Sequence, residues 1–556
     1  MRDVKAAFSM RGAALALAAG AAYAAAFPSV VAHDVHDGVG AVAGVVSLAL
    51  LFCIPRILKP KEAMLWGFVA AFLGRLASLW WVTGVSVVGW VVLSAACAVF
   101  VLPAIRYASV HAPTTSSHGP FRWVWQSALL YTAGESLLAY VVGGFPWNRM
   151  ATAAASWRSL AQLAEFGGEP LLTGLMALTG TALAALAVGA GHPFRKRAPA
   201  LAVLAAAAVA AVGGVWRLAQ VERALAAPDY AAETLRVAMV QPAIPQPDKW
   251  SAAKVEMIYG RLDQGTREAV GDASFAPELV IWPEAALPDE TLCSDRSLEF
   301  VKRMQALPLA ADGSAASLLT GSLDIVPVEG GTDDDFDYAN AALLFGEGMK
   351  NPVALLGNYA KRKLVIVGEY TPLLCLLPTR IQDRLAIRFG LPLSITAGKA
   401  TGRFRLPRKA WFFSPLICFE DIFPGLARDD VANGAMFLVT LTNDAWFDEV
   451  CCPAQHALNA SLRTIETRRP LLRCANTGWT CQIDPAGRFV DLLKSPETFS
   501  QGVLQTEVPI AANPQKTLFV RVGYLLDPFL AAFAVGQLLV LWTRRWLQRR
   551  KRLANA

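Results

Sequence analysis

Apolar positions along this chain follow two different rules. Before about residue 220 they run on in long blocks, and one such block returns near the C-terminus; between residues 235 and 510 they come in short runs separated by turn residues. A helix needs about twenty consecutive apolar residues to cross a bilayer. By that measure the pattern predicts about eight spanning helices, over residues 12–32, 39–54, 63–82, 87–104, 123–142, 171–190, 198–216 and 522–542. The second is short and rich in Gly and Ala.

The middle of the chain predicts strands over residues 235–240, 279–282, 317–323, 341–345, 411–418, 436–442, 471–475 and 502–508. Several, such as Met436-Phe437-Leu438-Val439, are continuously apolar, as in strands covered on both faces. Segments of helical length lie between them, for example 251–268 and 454–468. Such alternation argues for a layered α/β domain around a buried sheet.

Charge orients the spans, because short basic loops stay in the cytoplasm. Arg2, Lys5 and Arg11 precede the first span; Arg56, Lys59 and Lys61 follow the second; Arg106 and Arg122 follow the fourth; Arg195, Lys196 and Arg197 follow the sixth. The tail carries Arg544, Arg545, Arg549, Arg550, Lys551 and Arg552, whereas the opposite loops are acidic or uncharged except for Arg149 and Arg158. Both termini are therefore expected in the cytoplasm and the long α/β segment outside. Residues 1–26 also resemble a cleaved signal peptide, whose removal would delete one span and leave the rest of the topology unchanged. Arg75 and Glu135 fall inside spans, where ionisable groups are expensive and find partners; the simplest reading pairs them.

Composition agrees with a membrane protein. The 556 residues are 54% hydrophobic, with a mean hydropathy of +0.39, too apolar for one water-soluble globule. The formal charge of +7 sits in short clusters between apolar runs and forms no stripe with interleaved aromatics, which argues against a nucleic-acid partner. The nine cysteines form no CxxC pair and no Cys/His spacing of a zinc site, so neither metal nor cofactor is expected.

Three segments place a reactive group at a strand end or tight turn: Val280-Ile281-Trp282-Pro283-Glu284; Tyr359-Ala360-Lys361-Arg362-Lys363-Leu364 with Gly368-Glu369; and Pro415-Leu416-Ile417-Cys418-Phe419-Glu420-Asp421. Singly, each reads as a cap, a surface lysine or a packed thiol. Together they are chemically sufficient, since a thiol with an ordinary pKa of about 8.5 needs a base or nearby cation to attack an ester at neutral pH. A carboxylate can take its proton and a lysine can stabilise the developing oxyanion. The only histidine between residues 217 and 521 is His456, inside a predicted helix, which makes a Cys–His pair the weaker arrangement.

Spaced as WPEAALP, YAKRKL…GEY and PLICFEDIFP, this trio resembles the nitrilase superfamily. Val240-Gln241-Pro242 with Lys249-Trp250, Thr442-Asn443-Asp444-Ala445-Trp446-Phe447, residues 469–478 and Gly144-Phe145-Pro146-Trp147 narrow the resemblance to the apolipoprotein N-acyltransferase family, over nearly the whole chain. That resemblance implies a multi-span α-helical membrane domain of about eight transmembrane helices plus an α/β nitrilase-like αββα sandwich. The implied boundaries are residues 1–220 for a membrane domain with about seven spans, 233–512 for an extracytoplasmic catalytic domain, 518–545 for a C-terminal span and 546–556 for a basic cytoplasmic tail.

Position by position it makes Glu284 the general base, Lys361 the oxyanion stabiliser (Lys363 being the rival) and Cys418 the nucleophile. Glu369 would orient Lys361 or assist proton transfer, Glu420 would support the nucleophile turn, and the Phe419 N–H would be a second oxyanion donor. It implies a phospholipid acyl donor, a diacylglyceryl-modified lipoprotein acceptor and an inner-membrane location with the catalytic domain on the periplasmic side. Two departures stand out: Val365-Ile366-Val367 before Gly368-Glu369 where relatives often have Val-Pro-Phe, and Phe419 where some carry tyrosine. Cys451-Cys452 is expected in a loop, and residues 373–389, apolar and then amphipathic, read as a lid lining an acyl pocket. A membrane-tethered carbon–nitrogen hydrolase (amidase or nitrilase) would instead release its acyl group to water, and a non-catalytic membrane scaffold would survive loss of Cys418.

Overall fold

The structure is a computed structural model that describes residues 10–28, 38–111, 119–189, 191, 193–309, 313–327, 336–348, 353–366, 368–370, 381, 395–447, 451–493 and 500–554. The chain divides into two compact units, residues 1–217 with 522–556, and residues 218–521.

The first unit is helical, and five of its stretches are long and apolar enough to cross a membrane: Val39–Ile57, Val87–Val110, Ala164–Val188, Phe194–Leu225 and Gly523–Val540. That is fewer than the eight expected from apolar run length. Helices also form at Met10–Ala24, Pro60–Ser78 and Pro120–Leu138, but the first has only 15 described residues. The second carries Lys61, Glu62 and Arg75, and in the third Arg122, Glu135 and a run of Trp, Gln, Ser, Tyr and Thr dilute the apolar character. Run length alone overlooked those interruptions. Two further breaks are local. The Val87–Val110 stretch is helical over Val87–Val99 and again over Leu102–Val110, where Pro103 can occupy only a first turn. Gly168, at φ 66° and ψ −160°, kinks the Ala164–Val188 stretch just before Pro170.

Buried charges in this unit are paired, as low-polarity surroundings require. Arg75 meets Glu135 at 3.5 Å with both side chains buried. Arg75 also donates to the carbonyls of Trp147 and Asn148, each at 3.1 Å, while Glu135 accepts from the Met150 N–H at 2.9 Å. The pair thus holds the segment that follows Gly144-Phe145-Pro146, as the structural reading expected. Arg149, which broke the alternation of loop charge, is itself buried and bound to Glu169 at 3.0 Å and Asp527 at 3.2 Å. It is a structural charge, not a loop charge.

The second unit contains two sheets. Their strands in chain order are β1 (Ala231–Gln241), β2 (Leu279–Ile281), β3 (Ser317–Pro327), β4 (Phe336–Gly346), β5 (Ala354–Ala360), β6 (Phe412–Ile417), β7 (Ala435–Thr442), β8 (Leu471–Ala475), β9 (Thr480–Ile483), β10 (Phe489–Leu493) and β11 (Gly502–Ala511). One sheet has the order β11-β1-β2-β3-β4-β5 and the other β10-β9-β8-β7-β6. The central β1, β2 and β3 run parallel, as do β6, β7 and β8.

Side-chain alternation sorts these strands into layers. Leu235, Val237 and Met239 of β1 pack with Phe437, Val439 and Leu441 of β7 and with Phe413 and Ile417 of β6 in a core between the sheets. The opposite face of the first sheet, through Val240, Val280, Leu318, Leu343 and Phe345, packs on Ile258, Leu262, Phe300, Val301 and Met304. Those residues belong to the helices Val255–Gly271 and Asp295–Gln305. On the far side of the second sheet lie the helices Pro424–Ala432 and Cys451–Thr467. The result is a four-layer αββα sandwich. Every strand expected from sequence forms, and β5, β9 and β10 are additional. Cys451 and Cys452, expected in a loop, are buried at the start of a helix, where the apolar interior takes them as packing groups.

Candidate active site

Glu284 arrives at its position because β2 ends in Trp282-Pro283. Trp282 buries its ring, donates its indole N–H to the Thr266 hydroxyl at 3.0 Å and its backbone N–H to the Leu319 carbonyl at 2.8 Å. The chain then crosses β3 so closely that a Cβ on Gly321 would lie 2.6 Å from the Glu284 Cα, so only glycine fits there. Lys361 follows β5, its N–H donating to the Asn340 carbonyl at 2.8 Å. Cys418 follows β6 at φ 52°, a left-handed backbone rare for a residue with a Cβ, and opens the turn Cys418–Ile422. Ala285, directly after Glu284, also has positive φ, at 42°. Strain of this kind collects at sites that must present a side chain sharply.

The structure brings the three segments together. The Lys361 ammonium, 1% exposed, donates to Glu369 Oε1 at 2.8 Å and lies 3.4 Å from Glu284 Oε1. Burial disfavours its charge, but Glu369 and Glu284, with the Cys418 sulfur, overcome that and hold its pKa well above the ordinary lysine value. Glu369 is the counterpart: burial would raise it, yet Lys361 and the N–H groups of Asn340 and Val365 keep it below the ordinary carboxylate range. Lys363, the rival lysine, instead lies over the Phe423 ring at 4.8 Å, and burial lowers its pKa.

Cys418 is partly reachable from outside, but its sulfur faces surroundings that exclude water. Burial and the neighbouring Glu284 carboxylate push the thiol well above its ordinary value, against the pull of Lys361 and a Thr442 hydrogen bond. At neutral pH it is a thiol in need of a base, not a standing thiolate.

Asn340 escaped the sequence reading. From β4 its amide donates to Glu284 Oε1 at 2.7 Å and to Glu369 Oε1 at 3.0 Å, the same two oxygens that face Lys361. The only available signal was one polar residue in the apolar stretch Tyr338–Leu344. Glu420 is fully buried and accepts four hydrogen bonds, from the Ile417 N–H (2.8 Å), the Tyr359 hydroxyl (2.7 Å), the Arg362 N–H (2.7 Å) and the Lys363 N–H (3.0 Å). It ties the cysteine turn to the lysine turn. Phe419 is buried edge-on against Phe423, with ring centroids 5.1 Å apart. Residues 373–389, read as a lid, lie outside the described residues apart from Ile381.

His456 is not a partner for the thiol. Its Nε2 lies 2.9 Å from Asp421 Oδ1 and 3.3 Å from the Cys418 backbone carbonyl, and its Nδ1 lies 3.0 Å from Asp444 Oδ1. Arg473 completes the cluster through Asp444 Oδ2 at 2.8 Å. Gly478, at φ 109°, leaves room for that carboxylate, because a Cβ there would meet Asp444 Oδ2 at 2.5 Å. Burial lowers the His456 pKa, but Asp421 and Asp444 outweigh both burial and Arg473 and raise it to about 9. The stabilisation this represents is complete below the ordinary histidine value of about 6.5 and is lost as pH rises through about 9. Wild type is therefore expected to exceed His456→Gln in stability by about 3 kcal/mol at pH 6, with the gap narrowing toward pH 10. Paired thermal melts across that range measure it, and a gap independent of pH would refute the charge assignment.

A carboxylate, an ammonium and a thiol are thus gathered on one αββα sandwich. A family model described as carbon-nitrogen hydrolase matches residues 236–512, and one described as apolipoprotein N-acyltransferase N-terminal domain matches residues 19–182. A Pseudomonas putida apolipoprotein N-acyltransferase is 30% identical over 479 residues, covering 84% of this chain and 86% of that protein. The Geobacter metallireducens apolipoprotein N-acyltransferase is 28% identical over 535 residues, covering 95% and 94%. Among solved structures, Saccharomyces cerevisiae Nit3, a member of branch 10 of the nitrilase superfamily, matches at 17% identity and TM-score 0.35 over 50% of this chain and 91% of its own. The chain belongs to the apolipoprotein N-acyltransferase family.

Proposed function

We propose that this protein transfers an acyl chain from a membrane phospholipid, through a thioester on Cys418, to the α-amino group of the diacylglyceryl-cysteine at the N-terminus of apolipoproteins. The observation that carries the reading is the meeting of Glu284, Lys361 and Glu369 at one point within electrostatic reach of Cys418. Membership of a family whose relatives are named apolipoprotein N-acyltransferase supports the choice of acceptor.

The chemistry follows from the charges. Glu284 takes the Cys418 proton as sulfur attacks the ester carbonyl, and Lys361 faces the oxyanion that forms. The carbon–oxygen bond breaks, the proton on Glu284 passes to the departing lysophospholipid oxygen, and a thioester remains. The acceptor amine then attacks that thioester and gives a proton to Glu284. The sulfur leaves and is reprotonated, and an amide has replaced an ester. Glu369 and Asn340 hold Lys361 and Glu284 in register, and Glu420 holds the cysteine turn. The Phe419 N–H serves as a second oxyanion donor.

Lipid substrates also account for the helical unit. Drawing an acyl chain into water costs about 0.8 kcal/mol per methylene, so a site beside the bilayer spares most of that cost. The topology we propose has about eight spans. Residues 1–220 form the membrane domain, 233–512 the periplasmic catalytic domain, 518–545 the last span and 546–556 a cytoplasmic tail, in the inner membrane. Mass spectrometry of purified protein mixed with phospholipid tests the function. An acyl mass on the Cys418 peptide, discharged by a diacylated lipopeptide, is the expected result; discharge by water alone at the same rate would overturn it in favour of a hydrolase.

A further inference from the structure

Lys249 belongs to the Lys249-Trp250 motif, yet the reaction above gives it no task. It follows the short turn Gln246–Asp248 and is 3% exposed. Its ammonium donates to the backbone carbonyl of Glu284 at 2.9 Å. An ammonium carries three N–H bonds, and among the described residues no other group accepts from this one. A buried cation with neither an ion pair nor a full set of acceptors is costly to keep.

The charged and titratable groups that face it are Glu284 and Cys418. Burial brings Lys249 down to about 8, and those two groups resist the fall. Lys361 is different, because its charge is already shared between two carboxylates. Lys249 therefore has charge and donors to spare at the place where negative charge appears during the reaction.

We propose that Lys249 is a second ammonium of the active site, which pins the turn at Glu284 through its carbonyl and favours the Cys418 thiolate by its charge. The cycle then has two cations with separate duties, Lys361 at the oxyanion and Lys249 at the sulfur, both when the thiolate forms and when it leaves. Lys249 is a positioning residue acting through Cys418. The inference rests on Cys418 being the nucleophile, which the test examines independently.

The experiment follows iodoacetamide alkylation of the Cys418 peptide against pH, by mass spectrometry of the full-length protein in detergent. Wild type is compared with Lys249→Met, Lys249→Gln and Lys249→Arg, with thermal melts alongside. Glu284, Lys361 and Asp444 also act on the Cys418 thiol and are common to all four proteins. Lys249→Met and Lys249→Gln are expected to make alkylation about tenfold slower at pH 7, where Lys249 is charged, with the gap closing above about pH 8, and Lys249→Arg to return most of that loss. Superimposable profiles for wild type and Lys249→Gln would overturn the proposal. So would a uniform, pH-independent slowing that tracks a lower melting temperature. A deficit at pH 7 that closes at higher pH, in a protein whose wild-type Cys418 takes no acyl group from phosphatidylethanolamine vesicles, would support the pairing and remove the acyl-transfer reading.

Discussion

Cys418→Ala is expected to abolish acyl transfer, with turnover falling about 10⁴- to 10⁶-fold, the range for loss of a covalent nucleophile. Folding should survive, because the replacement removes one sulfur from a position where the backbone is held by its neighbours. Glu420 binds the Ile417 N–H on one side, and His456 lies 3.3 Å from the Cys418 carbonyl on the other. The assay is transfer of a labelled acyl chain from phospholipid to a diacylated lipopeptide, with the thioester mass sought in parallel. Retention of full transfer by the alanine variant would leave the thioester route untenable.

Lys361→Met should damage both fold and chemistry. The side chain is 1% exposed and faces two carboxylates, so its removal leaves Glu284 and Glu369 buried together without the ammonium they share. Breaking a buried pair from one side costs on the order of 3–5 kcal/mol. One carboxyl is expected to take up a proton to relieve the repulsion, and loss of the oxyanion partner lowers turnover by a further factor of about 10²–10³. Part of the stability should return at low pH, where the stranded carboxylates are neutral, but none of the activity should. Melting curves at pH 5 and pH 8 measure the first claim and the acyl-transfer assay the second. Recovery of activity at pH 5 would contradict the oxyanion role. Lys361→Arg is not expected to substitute, because a planar fork cannot occupy the volume of a point-like ammonium between two carboxylates.

Much of the α/β unit was legible because its strands are short apolar runs ending in turn residues. Pro415 to Ile417 leads straight into Cys418, and Leu279 to Ile281 into Trp282-Pro283-Glu284, so strand ends and reactive groups could be read together. β5 was not legible, because Gly357 and Asn358 interrupt its apolar run and it lies at a sheet edge. β9 and β10 were hidden by Thr480, Gln482 and Asp491. Run length and apolar composition give different span counts where charge enters a helix, as in Pro60–Ser78. Asn340 could not be found from local pattern, and Lys249 stood out only as part of a family motif without a task, since a lone amide and a lone lysine acquire meaning only from what lies opposite them across the sheet or turn. His456 reads from sequence as the weaker candidate for a base. Its place beneath the cysteine turn, between carboxylates from residues 421 and 444, depends on contacts no short window contains.

Glu420 joins two peptide segments that approach from different sheets. Because its carboxylate grips amides on both, sulfur and ammonium cannot drift apart without surrendering several charge-assisted bonds at once. They travel as one piece. Glu284, reached from β2, is fastened to the same ammonium and to Asn340, so it joins that rigid piece.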